Sequence, residues 1–113
     1  MRVKTERYDF AVIGAGSAGL IGAGFACKLG ARVALIERER IGGDCTWSGC
    51  VPSKSLLRVA KAAHEVRTAA RFGITSTAPG VDMPAVREYV RSTIAQIYAG
   101  TTVRSDLLIF AHE

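Results

Sequence analysis

Two segments of this 113-residue chain carry residues whose types and spacing can do chemistry. The first is Gly14-Ala15-Gly16-Ser17-Ala18-Gly19, a G-x-G-x-x-G turn. At that spacing the first glycine permits a tight turn and the second removes a side chain where a pyrophosphate approaches. The third lets the next helix pack closely on the strand before it. The second segment, GGDCTWSGCVPSK, runs from Gly42 to Lys54 and places Cys45 and Cys50 five residues apart. Two thiols that close in sequence can exchange with a disulfide. Between the segments stands Glu37, 23 residues after Gly14 against the usual spacing of about 20, where a carboxylate accepts hydrogen bonds from both ribose hydroxyls and repels a 2′-phosphate. The pattern predicts a dinucleotide other than NADP, and does not by itself separate FAD from NAD.

These residues need particular elements around them. Tyr8 to Ile13 reads as an apolar strand, Gly14 to Gly16 as the turn, and Ser17 to Leu29 as a helix stopped by Gly30. Arg32 to Glu37 reads as a second buried strand, parallel to the first through the helical crossover, which makes a βαβ unit. The helix N-terminus then offers unsatisfied N–H groups to an anion. Pro52 fits the first turn of a long helix over 53–70 with Leu56, Leu57, Ala60, Ala63 and Val66 on its apolar face. A loop follows over 73–80, then an amphipathic, core-facing helix over 84–98 carrying Val86, Val90, Ile94 and Ile97. Residues 106–111 read as a last strand.

Nine of the twelve glycines fall before residue 50, so a binding site is expected in the first half. The net charge of +5 allows an anionic ligand and does not indicate nucleic acid. Three cysteines do not make a secreted disulfide scaffold. The uncharged run from Phe10 to Cys27, preceded by Arg2, Lys4 and Arg7, has the length of a signal peptide or short span. Glu6 and Asp9 among the basic residues, and five glycines within the run, argue against both. No membrane partner is expected, and cytoplasm is the default.

The cysteine pair would not close in regular structure. Five residues of ideal helix separate Cα atoms by roughly 8–9 Å, against roughly 4.4–6.8 Å for a disulfide. Bridging needs an irregular helix start, which Gly49 can provide. A helix start and the neighbouring Lys54 both favour thiolate, lowering a cysteine pKa from about 8.5 toward 7 or below. A metal site is disfavoured by the spacing and by having only His64 and His112 nearby or elsewhere. Two inert buried thiols remain an open alternative.

The motif Gly42-Gly43-x-Cys45-x-x-x-Gly49-Cys50-Val51-Pro52-Ser53-Lys54 resembles the active-site signature of the FAD-dependent pyridine nucleotide-disulfide oxidoreductases. The resemblance covers about residues 5–100, with 101–113 divergent. It implies an α/β fold, a Rossmann-like FAD-binding βαβ unit with additional helices, and makes residues 1–113 the N-terminal portion of such a domain. It further implies that Gly14, Gly16, Ser17, Ala18 and Gly19 line the FAD pyrophosphate, that Glu37 holds the adenosine ribose, and that Gly42 and Gly43 admit the cofactor. Cys45 would be the interchange thiol, Cys50 the thiolate in charge-transfer contact with the flavin, and Lys54 a cation near flavin N5. NAD(P)H would reduce FAD, FAD the Cys45–Cys50 disulfide, and the dithiol an external disulfide or metal ion.

The chain departs from the family where Asp44 replaces a usual Thr, and where Thr46-Trp47-Ser48 replaces Leu/Val-Asn-Val. The Pro-Ser-Lys ending is similar to the mercuric reductase and lipoamide dehydrogenase branch. A second G-x-G-x-x-G for NAD(P)H and the homodimer-interface domain with its His-Glu pair are not found; His112-Glu113 lack that motif. The expectation is a truncated chain or gene fragment, not competent for full turnover alone. Two rival expectations are a non-catalytic nucleotide-binding remnant and a flavin-free thiol-disulfide module. Cys27 is expected as a small buried apolar residue, His64 on the surface, and Arg38 and Arg40 in a solvated turn. Trp47 suits equally a shield over the disulfide or a local core anchor.

Overall fold

The computed structural model describes residues 6–101 and the backbone of 108–110. Arg2, Lys4, the ends of the expected 106–111 strand, and His112-Glu113 lie outside the described residues. In chain order the elements are β1 (Phe10–Ile13), α1 (Ser17–Lys28), β2 (Val33–Glu37), α2 (Gly43–Trp47), α3 (Cys50–Thr68), a 3₁₀ turn (Ala69–Phe72), α4 (Met83–Gly100) and β3 (Leu108–Phe110). They gather into two compact units, Met1–Cys45 with Gly100–Glu113, and Thr46–Ala99.

The first unit is an α/β layer. Its parallel sheet has the order β1-β2-β3, with Phe10 opposite Val33, Ile13 opposite Ile36, and Leu35 opposite Leu108. Parallel neighbours need a crossover, and α1 supplies it between β1 and β2. The middle strand carries the core: Val33, Ala34 and Leu35 are buried, together with Ala15, Ala23 and Ile41. Val12, Leu20, Ala26 and a half-buried Cys27 pack around this cluster. Small residues on the inner face of α1 let the helix lie close to the sheet.

β1 begins two residues later than the expected Tyr8. Asp9 and Phe10 both donate their N–H to the Arg32 carbonyl, and the Arg32 N–H returns to Asp9 Oδ2 at 2.8 Å. A side-chain clasp thus stands where the apolar run suggested ladder. At the far end of α1, Gly30 adopts φ 89°. Its N–H donates to Cys27 and that of Ala31 to Ala26, the paired bonds of a glycine-terminated helix.

In the second unit, α3 starts at Cys50, earlier than the expected Ser53. Gly49, with φ −113° and ψ −104°, separates it from α2, and Pro52 lies in its first turn. In α3 Ser55 is buried and Val51, Val59, Ala62 and Ala63 are half-buried; Leu56, Leu57, Ala60 and Val66, expected with Ala63 on the apolar face, are exposed. Hydropathy misleads here because Ser55 satisfies its hydroxyl within the helix, donating to the Val51 carbonyl at 2.8 Å. It can therefore face inward. Gly73, at φ 77°, ends the 3₁₀ turn as the expected loop begins. α4 is capped by Asp82, whose Oδ1 accepts the Ala85 N–H at 3.1 Å. Val86, Val90 and Ile94 are half-buried, and Ile97 is exposed. An open apolar groove between α3 and α4 is lined by Val59, Ala63, Val66, Val86 and Tyr89.

Among the described residues, no helix is long and apolar enough to cross a membrane. The uncharged run Phe10–Cys27 is instead strand, turn and crossover helix.

The glycines of α1 are not equivalent. A Cβ on Gly19 would run into the Gly14 carbonyl oxygen, whereas one on Gly24 would meet nothing within 4 Å. Gly19→Ala is expected to destabilise the chain by about 1–3 kcal/mol through overpacking. Gly24→Ala is expected to stabilise it by up to about 1 kcal/mol through helix propensity. Urea unfolding midpoints of the two variants should move in opposite directions; a common shift would remove the close-packing role assigned to Gly19.

Candidate functional site

The glycine turn is held from three sides. The Gly14 N–H donates to the Ile36 carbonyl at 2.8 Å. The Ala15 N–H donates to Glu37 Oε2 at 2.6 Å. The Gly42 N–H donates to the Ala15 carbonyl at 2.8 Å. Ala15, between these bonds, is 0% exposed. The other Glu37 oxygen, Oε1, accepts the Glu39 N–H at 2.9 Å. One carboxylate therefore ties the glycine turn to the turn after β2. The Glu39 and Ala15 N–H groups hold the Glu37 carboxyl below its usual range, and partial burial opposes them. The Arg38 and Arg40 N–H groups act in the same direction, so the carboxylate is an acceptor fixed by the backbone around it.

The turn delivers the chain to α1 in a form open to an anion. Gly14 has φ 96°, a conformation that only glycine adopts without strain. Gly16 is the N-cap of α1, without a side-chain cap hydrogen bond and with no acidic residue in the helix's first turn. The N–H groups of Ser17, Ala18 and Gly19 precede the first intrahelical carbonyls and have no partner within the helix. The second glycine pair closes on the same place. A Cβ on Gly43 would lie 2.9 Å from Gly16 Cα. Gly42 and Gly43 both have positive φ, 108° and 56°. Gly14, Gly16, Gly19, Glu37, Gly42 and Gly43 are thus brought together in the first unit as one backbone cradle. Its residues fit a pyrophosphate and a ribose: bare N–H groups, no Cβ at the approach, and a carboxylate beside them.

Cys45 lies in α2, half-buried, and belongs to the same unit. Cys50 opens α3 in the second unit and is exposed, with the exposed Lys54 one helical turn further along. Both cysteines are thiols. Gly49, between them, breaks the helix before Cys50. The five-residue helix α2 was not evident from the sequence, which carries no hydrophobic period over so short a stretch. Trp47, the last residue of α2, packs on Tyr98 of α4 with ring centroids 5.1 Å apart and planes inclined by 55°. His64 is exposed, as are Arg38 and Arg40; Arg38 pairs with Glu39 at 3.4 Å. Two participants are not evident from residue types. Ala15 matters through its backbone, and the only local hint was a small residue between two glycines. Tyr98 is distant in sequence from Trp47 and gave no signal.

A sequence model of the family described as pyridine nucleotide-disulphide oxidoreductase matches residues 8–110. The dihydrolipoyl dehydrogenase of Zymomonas mobilis is 37% identical over 95 residues, covering 84% of this chain and 20% of the relative. The mercuric reductase of Streptomyces lividans is 41% identical over 93 residues, covering 81% of this chain and 20% of the relative. The dihydrolipoyl dehydrogenase of Corynebacterium glutamicum is 50% identical over 60 residues, covering 53% of this chain and 13% of the relative. The chain spans about a fifth of the length of the first two relatives.

Glu37→Gln puts an NH2 donor in place of one of the two oxygens that accept the Ala15 and Glu39 N–H groups. It is expected to cost about 1–2 kcal/mol at neutral pH, given the strength of charged hydrogen bonds and solvent screening. Folding lowers the Glu37 pKa from 4.5. Its stabilisation is therefore fully present above that value and is lost as pH falls through the lower, folded one. Unfolding midpoints of wild type and variant should converge in acid. A gap that persists unchanged at low pH would mean that the carboxylate charge does not brace the turn.

Proposed function

The chain belongs to the pyridine nucleotide-disulphide oxidoreductase family, and we propose that it forms the FAD-binding, thiol-bearing part of an NAD(P)H-dependent enzyme that reduces a disulfide or a metal ion. One observation carries this reading. The G-x-G-x-x-G turn and the Gly42-Gly43 pair meet backbone to backbone beside Glu37, and the cysteine segment follows directly.

The N–H groups of Ser17, Ala18 and Gly19 would bind the pyrophosphate, aided by the N-terminal dipole of α1. Gly16, Gly42 and Gly43 leave room for it, and Glu37 would accept the ribose hydroxyls. FAD, when bound, supplies the two-electron link between the nicotinamide and the thiols. Lys54 would place a cation at the flavin edge beside Cys50. With a disulfide substrate, the Cys45 thiolate attacks one sulfur, forming a mixed disulfide and releasing the first thiolate. Cys50 then attacks the Cys45 sulfur, forming the Cys45–Cys50 disulfide and releasing the second. The substrate gains two electrons and the pair loses two. The mercuric reductase and dihydrolipoyl dehydrogenase names of its relatives support a metal ion or a disulfide as the substrate class. Nicotinamide binding and the homodimer contact would fall to other parts of such an enzyme. A reduced thiol couple of this kind suits the cytoplasm.

The test is the visible absorption spectrum of the chain purified in the presence of FAD. A flavin band that stays with the protein is expected. Mild two-electron reduction should bring up a long-wavelength absorbance that disappears in Cys50→Ser. A chain that folds yet retains no flavin would overturn FAD binding. A spectrum identical in Cys50→Ser would overturn the thiol–flavin contact.

A further inference from the structure

A full negative charge stands beside the glycine cradle. A Cβ on Gly16 would lie 3.9 Å from Gly43 Cα, so the residue after Gly43 stands one Cα step, about 3.8 Å, beyond that contact. That residue is Asp44, exposed and in the first turn of α2. It belongs to the same unit as the glycine turn and Glu37. Its carboxylate falls within about one Debye length of the Gly16 backbone, roughly 10 Å at 0.1 M salt. The first turn of α1 holds no acidic residue, and Glu37 gives its oxygens to the Ala15 and Glu39 N–H groups. Arg38 and Arg40, after β2, are exposed, and Arg38 pairs with Glu39 at 3.4 Å. We propose that Asp44 is a specificity-determining residue of the cradle: its carboxylate opposes ligand charge, so the chain favours a dinucleotide over free nucleoside triphosphates. This rests on the reading of the cradle as a nucleotide site.

The physical basis is that the two kinds of group respond differently to charge. Backbone N–H groups at a helix start attract phosphates in general. A fixed carboxylate repels them in proportion to the charge they carry. The pyrophosphate of a dinucleotide is esterified at both ends and carries two negative charges. ATP ends in a free phosphate and carries about four at neutral pH. At roughly 8 Å in water each ligand charge lowers affinity about twofold, and the outer phosphates, farther away, count for less. A repulsive group can thus select between ligands that the attractive groups treat alike.

FAD affinity of the full chain, Asp44→Asn and Asp44→Glu is measured by equilibrium dialysis with EDTA present, and ATP affinity by its displacement of FAD. At low salt Asp44→Asn is expected to bind FAD about threefold and ATP about tenfold more tightly than wild type. Asp44→Glu, which keeps the charge, should titrate with wild type. At about 1 M salt, where the Debye length is about 3 Å, both gains should shrink below about twofold. A packing or hydrogen-bonding role alone would change FAD and ATP equally and would persist in salt. Unchanged or weaker binding in Asp44→Asn, equal gains for the two ligands, or gains undiminished at high salt overturn the proposal. So does ATP that displaces no FAD from Asp44→Asn. Should Asp44→Asn not fold, Asp44→Ser carries the same comparison. If wild type and variant both fold and bind no FAD, the nucleotide reading itself fails and the proposal with it.

Discussion

The Glu37 carboxylate receives the Ala15 N–H on one oxygen and the Glu39 N–H on the other, and the rest of the cradle depends on that double contact. The turn between β1 and α1 has no regular ladder of its own, and two of its residues are glycines chosen for freedom and not for grip. A buried N–H in such a turn needs a partner, and Ala15 is fully enclosed. Glu37 provides the partner from the end of the neighbouring strand. The Gly42 N–H then seals the Ala15 carbonyl from the other side. The loop thereby inherits the rigidity of the β1–β2 ladder, and the N–H groups of α1 face a fixed direction.

That same pair of bonds fixes the direction of one acidic side chain. A carboxylate aimed only at solvent would be free to turn toward a ribose and equally free to turn away. Here backbone donors orient it and favour its ionised form. The glycines divide in a related way. Gly19 is required because α1 approaches β1 so closely, and Gly43 because it approaches Gly16. Gly14 is required for its backbone angle, since a Cβ there would have space. Three glycines of one neighbourhood thus answer two different constraints.

The two units differ in how they are built. The first has a core of strand residues and alanines around Val33 and Leu35. The second has small residues facing inward on α3 and an open groove toward α4. Several large apolar side chains remain exposed, Ile13 at 87% among them. The cysteine segment crosses from one unit to the other. Its helix break at Gly49 separates a half-buried thiol from an exposed one, so the two cysteines stand in different surroundings although close in sequence.

The βαβ unit, its parallel strands and the place of the glycine turn were legible from residue types. Each follows from local rules: an apolar run, a glycine at a turn, a stop at Gly30. The order Gly-turn, Glu37, Gly42-Gly43, cysteines was equally plain. The inward face of α3 was not, because Ser55 buries its hydroxyl against its own helix and Leu56 and Leu57 turn outward. The Asp82 cap and the clasp between Asp9 and Arg32 were not legible either, since each is a side-chain bond that displaces an element boundary. The amino-acid sequence by itself determined the order of the glycine turn, Glu37, the second glycine pair and the two cysteines. Only the tertiary structure decided that Glu37 grips Ala15, that Gly43 meets Gly16 and that Trp47 meets Tyr98. Those contacts join residues far apart in the chain, and no local propensity encodes a distance that only packing creates.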